Sequence, residues 1–456
     1  MSDERIDYRH NWFSKKWNLE ALKDGKFKEN KSHLKWKRGS NAEDDDTHLF
    51  LQEFLQDSED SAPSCIVEEV TQFCQAARLT DLKSGMGPAG QRRVAWLDDR
   101  SFSSLESRGS VREYKDRLTA TELYQHLKVL RFDNPDRPDA ERRLIYIADL
   151  DPYYIFALGE TAPFRQIEGL RDAFWKHIAF QTSMSVQILP LGFSAFRLEL
   201  HLPFLALRPS PPHKNRFHKQ GYTNPKRRWT DLQFLKVQAP GSQNQRTYRM
   251  YEGHITFMIC GSDERRWVAY AFVDTAFNES DPEDEEEFPA GTMHEDPIAD
   301  GKLDAEFPLW NPREYFLMVC NIRIAQVQRE WQYLVRTVGL GIKQYKDRYP
   351  SPFILHPETE GDRADMQKTF DWTGQMIELL CELKNLLSET NQAWETFNCS
   401  DGDISFFKDL DSLNDSSHLV CLALRTIKDT FQKLKRLEQN LVRWEEFCLT
   451  LAQIVC

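Results

Sequence analysis

The sequence predicts an α+β fold, a mixed or antiparallel sheet domain followed by a long-helix C-terminal bundle or stalk. Strand-like runs cluster between Leu144 and Asp274 with few helical segments between them. After Asn311 the apolar period changes from two to about 3.6. Near the C-terminus, Leu424, Ile427, Phe431, Leu434, Leu437, Leu441, Trp444, Cys448, Leu451 and Val455 step by threes and fours without a miss.

The 456 residues divide into three regions. Residues 1–110 begin basic and aromatic (Trp12, Lys15, Lys16, Trp17, Trp36, Lys37) and turn acidic after Glu43, around a short helical stripe of Leu49, Phe50, Phe54 and Leu55. The glycine-containing stretch 84–110 reads as a connection broken by a strand at Arg93–Leu97. Residues 111–310 hold the sheet. Leu144–Ala148 is a compact apolar run, and Thr161 and Pro163 read as the start of a helix lined by Leu170, Phe174, His177 and Ile178. Further strands are expected at Ser185–Leu189, Ala195–Leu202, Asp231–Val237, His254–Cys260 and Arg266–Asp274. In Ala195–Leu202, apolar residues alternate with Arg197, Glu199 and His201, which predicts one buried face and one wet face. Charged loops are expected at 208–229, which is basic, and at 279–306, which is acidic.

Residues 311–456 form the long-helix region. Asn311-Pro312 reads as a cap with a first-turn proline, followed by a stripe from Phe316 to Val338 that Gly339 and Gly341 weaken. A second helix is expected over Met366–Phe397, and a third over the stripe described above.

Composition narrows the function classes. A hydrophobic content of 40% with 12% aromatic residues fills cores, and a net charge of −12 argues against nucleic acid as the partner of the whole surface. The first residues are charged and no run of about 20 apolar residues occurs, so neither a secretory signal nor a membrane span is expected. The odd count of 9 scattered cysteines reads as reduced thiols. These features predict a soluble, cytoplasmic protein.

The search for chemistry returns weak candidates. Gly85-Met-Gly87-Pro-Ala-Gly90 has the letters of a dinucleotide fingerprint, but a strand follows it where a helix is required, so it reads as a glycine loop. His213 and His218 lie four apart in a proline-rich loop and read as solvated. Asp149, Asp151 and Asp274 sit at strand ends, where turn residues and active-site groups both occur. Asp296, Asp300 and Asp304 recur every four residues and are the candidates for holding a divalent cation, although their spacing misses that of a calcium loop. No catalytic residue and no cofactor is assigned.

Several blocks carry a family resemblance. They include Arg143-Leu-Ile-Tyr-Ile-Ala-Asp-Leu-Asp151, Leu170-Arg-Asp-Ala-Phe-Trp-Lys-His177, Leu200-His-Leu-Pro-Phe-Leu-Ala-Leu207, Trp267-Val-Ala-Tyr-Ala-Phe-Val-Asp-Thr275, Asp296-Pro-Ile-Ala-Asp-Gly301 and Trp310-Asn-Pro-Arg-Glu-Tyr-Phe-Leu317. In order and spacing they resemble a group of fungal proteins described as CorA-like, relatives of a divalent-cation channel. The resemblance implies a cytosolic mixed domain followed by stalk-like helices. Channel-type members continue into two membrane helices bearing a Gly-Met-Asn motif, which this sequence lacks, so no pore residue carries over. The resulting expectation is a non-enzymatic interaction or regulatory protein. Leu441, Trp444, Leu451 and Val455 of the last helix would contact a protein partner or a second copy. Two alternatives stand beside it, an accessory protein or enzyme of fungal metabolism and a divalent-metal sensing or transport-associated module.

Overall fold

The structure, a computed structural model, describes residues 47–55, 64–103, 108–189, 195–210, 227–238, 245–277, 294–348, 360–412 and 417–455. Helices α1 (Thr47–Leu55), α2 (Ser64–Cys74), α3 (Leu79–Ser84) and the single turn α4 (Pro88–Gln91) precede strands β1 (Ala95–Ser101) and β2 (Ser110–Arg112). Then come α5 (Ala120–Leu127), β3 (Arg142–Ala148), α6 (Pro152–Thr161), α7 (Phe164–Ile178), β4 (Ser183–Leu189), β5 (Ala195–Pro209), β6 (Trp229–Gln238), β7 (Gln245–Gly261) and β8 (Trp267–Val273). Three long helices follow, α8 (Pro312–Arg348), α9 (Glu360–Asn398) and α10 (Ser417–Val455).

The strands form one sheet in the order β2-β1-β3-β8-β7-β5-β4, with β6 beside the first half of β7. Among the described residues only β3 and β8 run parallel; every other pair is antiparallel, so the sheet is mixed. The parallel pair sits mid-sheet, and each of its residues is buried, as expected for strands covered on both faces. Period two sorts those residues cleanly. Leu144, Tyr146, Trp267, Ala269 and Ala271 join the core shared with α8, α9 and α10. Ile145, Ile147, Val268, Tyr270 and Phe272 join the opposite core, under α1, α2 and α5–α7. The chain is a helix–sheet–helix sandwich.

One sequence expectation fails here. The wet face of β5 is buried: Glu199 and His201 are both inaccessible, because α7 lies across that side of the sheet. Alternation identified the two faces, but it does not reveal that a helix covers the polar one.

Asn311 caps α8 as expected, its Oδ1 accepting from the Arg313 and Glu314 amides at 2.9 and 3.3 Å. Phe316, Val319, Ile324, Val327, Trp331, Leu334 and Val338 are all buried. The two glycines do not end the helix, which continues to Arg348. Instead they allow close approach. A Cβ on Gly339 would meet the Trp444 ring of α10 at 2.5 Å, and one on Gly341 would collide with Leu235 of β6. Gly339→Ala is therefore expected to destabilise by about 1–3 kcal/mol through overpacking, despite alanine's helix advantage of about 1 kcal/mol. A urea midpoint equal to or above wild type would show that Trp444 yields freely.

The Gly85–Gly90 segment also has a packing role. Gly85 closes α3 with φ +72°, Gly87 precedes α4, and a Cβ on Gly90 would strike the Gly85 carbonyl. It links two short helices ahead of β1.

Candidate functional site

A buried polar cluster lies between α7 and the sheet, near the C-terminal ends of β3 and β8. Period two aims Glu199 and His201 of β5, and His254 and Thr256 of β7, at the same face. The last turn of α7 adds Lys176 and His177, the residue after β8 adds Asp274, and Arg227 enters just before β6. His177, His201, His254 and Thr256 are all buried, Thr256 at 0% exposure.

The Nδ1 atoms of His177, His201 and His254 lie 3.1, 3.2 and 3.3 Å from the Thr256 Oγ1. Asp274 faces His177 Nε2 at 3.3 Å and accepts from Arg227 Nε at 2.6 Å and from the His254 amide at 2.8 Å. Arg227 also donates to the His177 and Ile178 carbonyls at 2.5 and 3.3 Å, which caps the C-terminus of α7. Next to the histidines, Glu199 is held by Lys176 at 2.9 Å and Arg197 at 2.6 Å.

Burial shifts these groups in opposing ways. It draws all three imidazoles toward the neutral form, His254 furthest, while Asp274 pulls back on His177. For Asp274, burial alone would raise the carboxyl, but Arg227 and His177 hold it well below the ordinary range. Glu199 follows the same pattern, with His201, Arg197 and Lys176 overcoming burial.

Asp274, His177 and Thr256 stand in the order of an acid–base–hydroxyl relay. The hydroxyl is sealed, however, and two further imidazoles bracket it. In this conformation the arrangement binds its own groups together and presents no nucleophile to a substrate.

The structure brings Asp149, Asp151 and Asp274 to one edge of the parallel pair. Asp149, with φ +50°, accepts from the Thr275 amide and hydroxyl at 2.6 and 2.8 Å. Asp151 caps α6 through the Tyr153 and Tyr154 amides and pairs with Arg92 at 2.7 Å. Each carboxylate is thus engaged in shaping its own turn.

Asp296, Asp300 and Asp304 are placed apart in function. Asp296 caps a short 3-10 turn, accepts from the Tyr315 hydroxyl at 2.7 Å, and has a carboxyl raised by burial. Asp300 pairs with Arg323 at 3.1 Å, and Asp304 accepts from the Glu306 amide at 2.8 Å. Among the described residues no group of three or more His, Cys, Asp or Glu is placed to hold a metal ion. Asp296 and Asp304 do line a cleft of about 250 Å³, together with Arg142, Phe307, Glu314 and Tyr315.

On α10, Leu441 is fully buried and Trp444 is half-buried over Gly339; Leu451 is half-buried. Val455 belongs to the helix, but its side chain lies outside the described residues, as do His213, His218 and residues 279–293. The ends of the basic segment are described, and both are anchored: Arg208 forms a two-pronged pair with Glu330, and Arg227 holds Asp274.

Sequence reasoning missed the histidine cluster. Its members come from separate elements with no motif spacing, and His201 was read as solvent-facing. The available signal was His177, a histidine on the apolar face of a helix.

No family model matches the chain, and no curated protein is similar to it. Among solved structures it is similar to one described as the structure of the full-length CmaX protein, at 10% identity, covering 79% of this chain and 78% of that one, with a TM-score of 0.31. Among the described residues no helix is long and apolar enough to cross a membrane.

Proposed function

We propose that this chain is a non-enzymatic interaction or regulatory protein, organised like the cytosolic part of CorA-like proteins, that self-associates through the distal half of α10. One observation carries the reading. Leu449 remains 45% exposed beside half-buried Leu451 on a helix whose opposite side is core. The polar groups at the parallel edge are spent on one another, which supports a structural role for them. Leu441 belongs to the fold rather than to the contact, so Leu449 and Leu451 replace it as the residues to test.

Sedimentation velocity across a concentration series is the direct experiment. Wild type is expected to associate, and Leu449→Glu with Leu451→Glu to remain monomeric with unchanged helix content. A wild-type monomer at every concentration, or association unaffected by the double substitution, would sink the proposal.

A further inference from the structure

The Thr256 hydroxyl has one proton to give and two lone pairs to receive, while three imidazole Nδ1 atoms lie within 3.1–3.3 Å of it. All three contacts are hydrogen bonds at once only when one Nδ1 accepts and the other two donate. The far nitrogen of each ring decides which.

His254 Nε2 lies 3.1 Å from the Gln181 carbonyl, which only accepts, so that nitrogen carries the ring's proton. Burial keeps this ring neutral, and its Nδ1 takes the hydroxyl proton. His201 Nε2 has no hydrogen-bond partner, with Glu199 3.8 Å away. Its proton sits on Nδ1 and is donated to Thr256.

Of the three rings, His177 has both nitrogens closest to acceptors, the Thr256 oxygen at 3.1 Å from Nδ1 and Asp274 Oδ1 at 3.3 Å from Nε2. A neutral ring has one proton for both positions, and an imidazolium has two.

We propose that this cluster is a one-proton switch in which His177 alone takes up a proton from solvent as the pH falls, bonding the end of α7 to both β7 and Asp274. Neutral His177 keeps Asp274 and releases Thr256. The charged groups around the ring fit a single uptake. Asp274 attracts the proton, and Arg227, on the same carboxylate, limits that attraction. Lys176, adjacent on α7, is neutralised by Glu199 and Asp172. A second proton on His254 would break its hydrogen bond to Thr256, and one on His201 Nε2 would meet Glu199 only at 3.8 Å, a carboxylate already held by Lys176 and Arg197.

Because Arg227 grips the His177 carbonyl as well as Asp274, the switch acts on the link between α7 and the chain entering β6. The inference is independent of self-association through α10.

The test is long-range ¹H–¹⁵N imidazole spectroscopy on the full chain from pH 9 to 5, with rings assigned by difference from His177→Gln, His201→Gln and His254→Gln. Of these three, only His177 is expected to titrate, while His201 stays protonated on Nδ1 and His254 on Nε2. Asp274→Asn is expected to move the His177 titration down by about one pH unit, a tenfold loss of proton affinity. Absence of titration by His177 in this range, prior titration of His201 or His254, or a His254 proton on Nδ1 would each overturn the switch. Should a glutamine variant fail to fold, the wild-type spectrum and Asp274→Asn still decide, since tautomer and charge are read from the ring nitrogens themselves.

Discussion

Asp99→Ala is expected to lower the unfolding free energy by about 3–5 kcal/mol, the range for removing one partner of a buried ion pair. Asp99 lies on β1 with no exposure and accepts from Arg143 Nε and Nη2, both at 2.7 Å, and from the Tyr114 hydroxyl at 2.8 Å. Arg112 Nη1 stands 3.8 Å away, without another partner. Burial alone would raise the Asp99 carboxyl, but Arg143, Tyr114 and Arg112 keep it ionised. Alanine would leave two buried guanidinium groups facing no anion. Urea denaturation is the measurement, and a loss below about 1 kcal/mol would mean that water reaches the arginines. Asp99→Asn is expected to fall between the two, because it keeps an acceptor and loses the charge.

Acidification is the second large effect, and its sign follows from where the protons bind. Burial depresses His201 and His254 in the folded chain, so the unfolded chain binds their protons first. Their contribution is complete above the unfolded imidazole value of about 6.5 and is lost as the pH falls below it. The loss is about tenfold per pH unit per ring in the unfolding constant. Asp99, Asp274 and Glu199 are depressed carboxylates, so they add a second loss as the pH falls below about 4. Urea midpoints from pH 8 to 2 should decline in that order. A flat midpoint between pH 8 and 5 would mean that the folded state already carries the protons on His201 and His254.

Regular elements with a strong period were legible in the sequence. The apolar run at Leu144–Ala148 is the core of β3, and Asn311-Pro312 marks the start of α8. The stripe from Leu424 to Leu451 is α10, buried or half-buried throughout. Elements defined by tertiary cover were harder to see. α6 is apolar all round and lacks a helical stripe, so no element was expected between Leu144–Ala148 and Thr161, the residue that was read as starting the next helix and instead ends this one. The signal for α5, Thr119 with Glu122 three residues on, is a complete capping box in the structure. Phe370, inside the helix expected over Met366–Phe397, is 47% exposed, and Trp372 stacks on Tyr345. Gly339 and Gly341 looked like helix weaknesses because the side chains that need their space come from α10 and β6.

The candidate site was less visible still. Sequence located Asp149, Asp151 and Asp274 at strand ends without showing that one sheet edge gathers them. Glu199 and His201 looked solvated because charge on alternating positions usually faces water. Here a helix supplies Lys176 to Glu199, and a distant residue supplies Arg227 to Asp274.

The parallel pairing of β3 with β8 also sets a timetable for synthesis. β1 and β3 pair antiparallel soon after they emerge, but the other edge of β3 is matched by residues 267–273. Long-range parallel pairing of this kind forms slowly. A nascent chain halted anywhere between β4 and β7 presents Leu144–Ile147 as an open, apolar strand edge, the type of surface that draws chaperones and aggregates. Translation must therefore pass Val273 before the middle of this sheet can close.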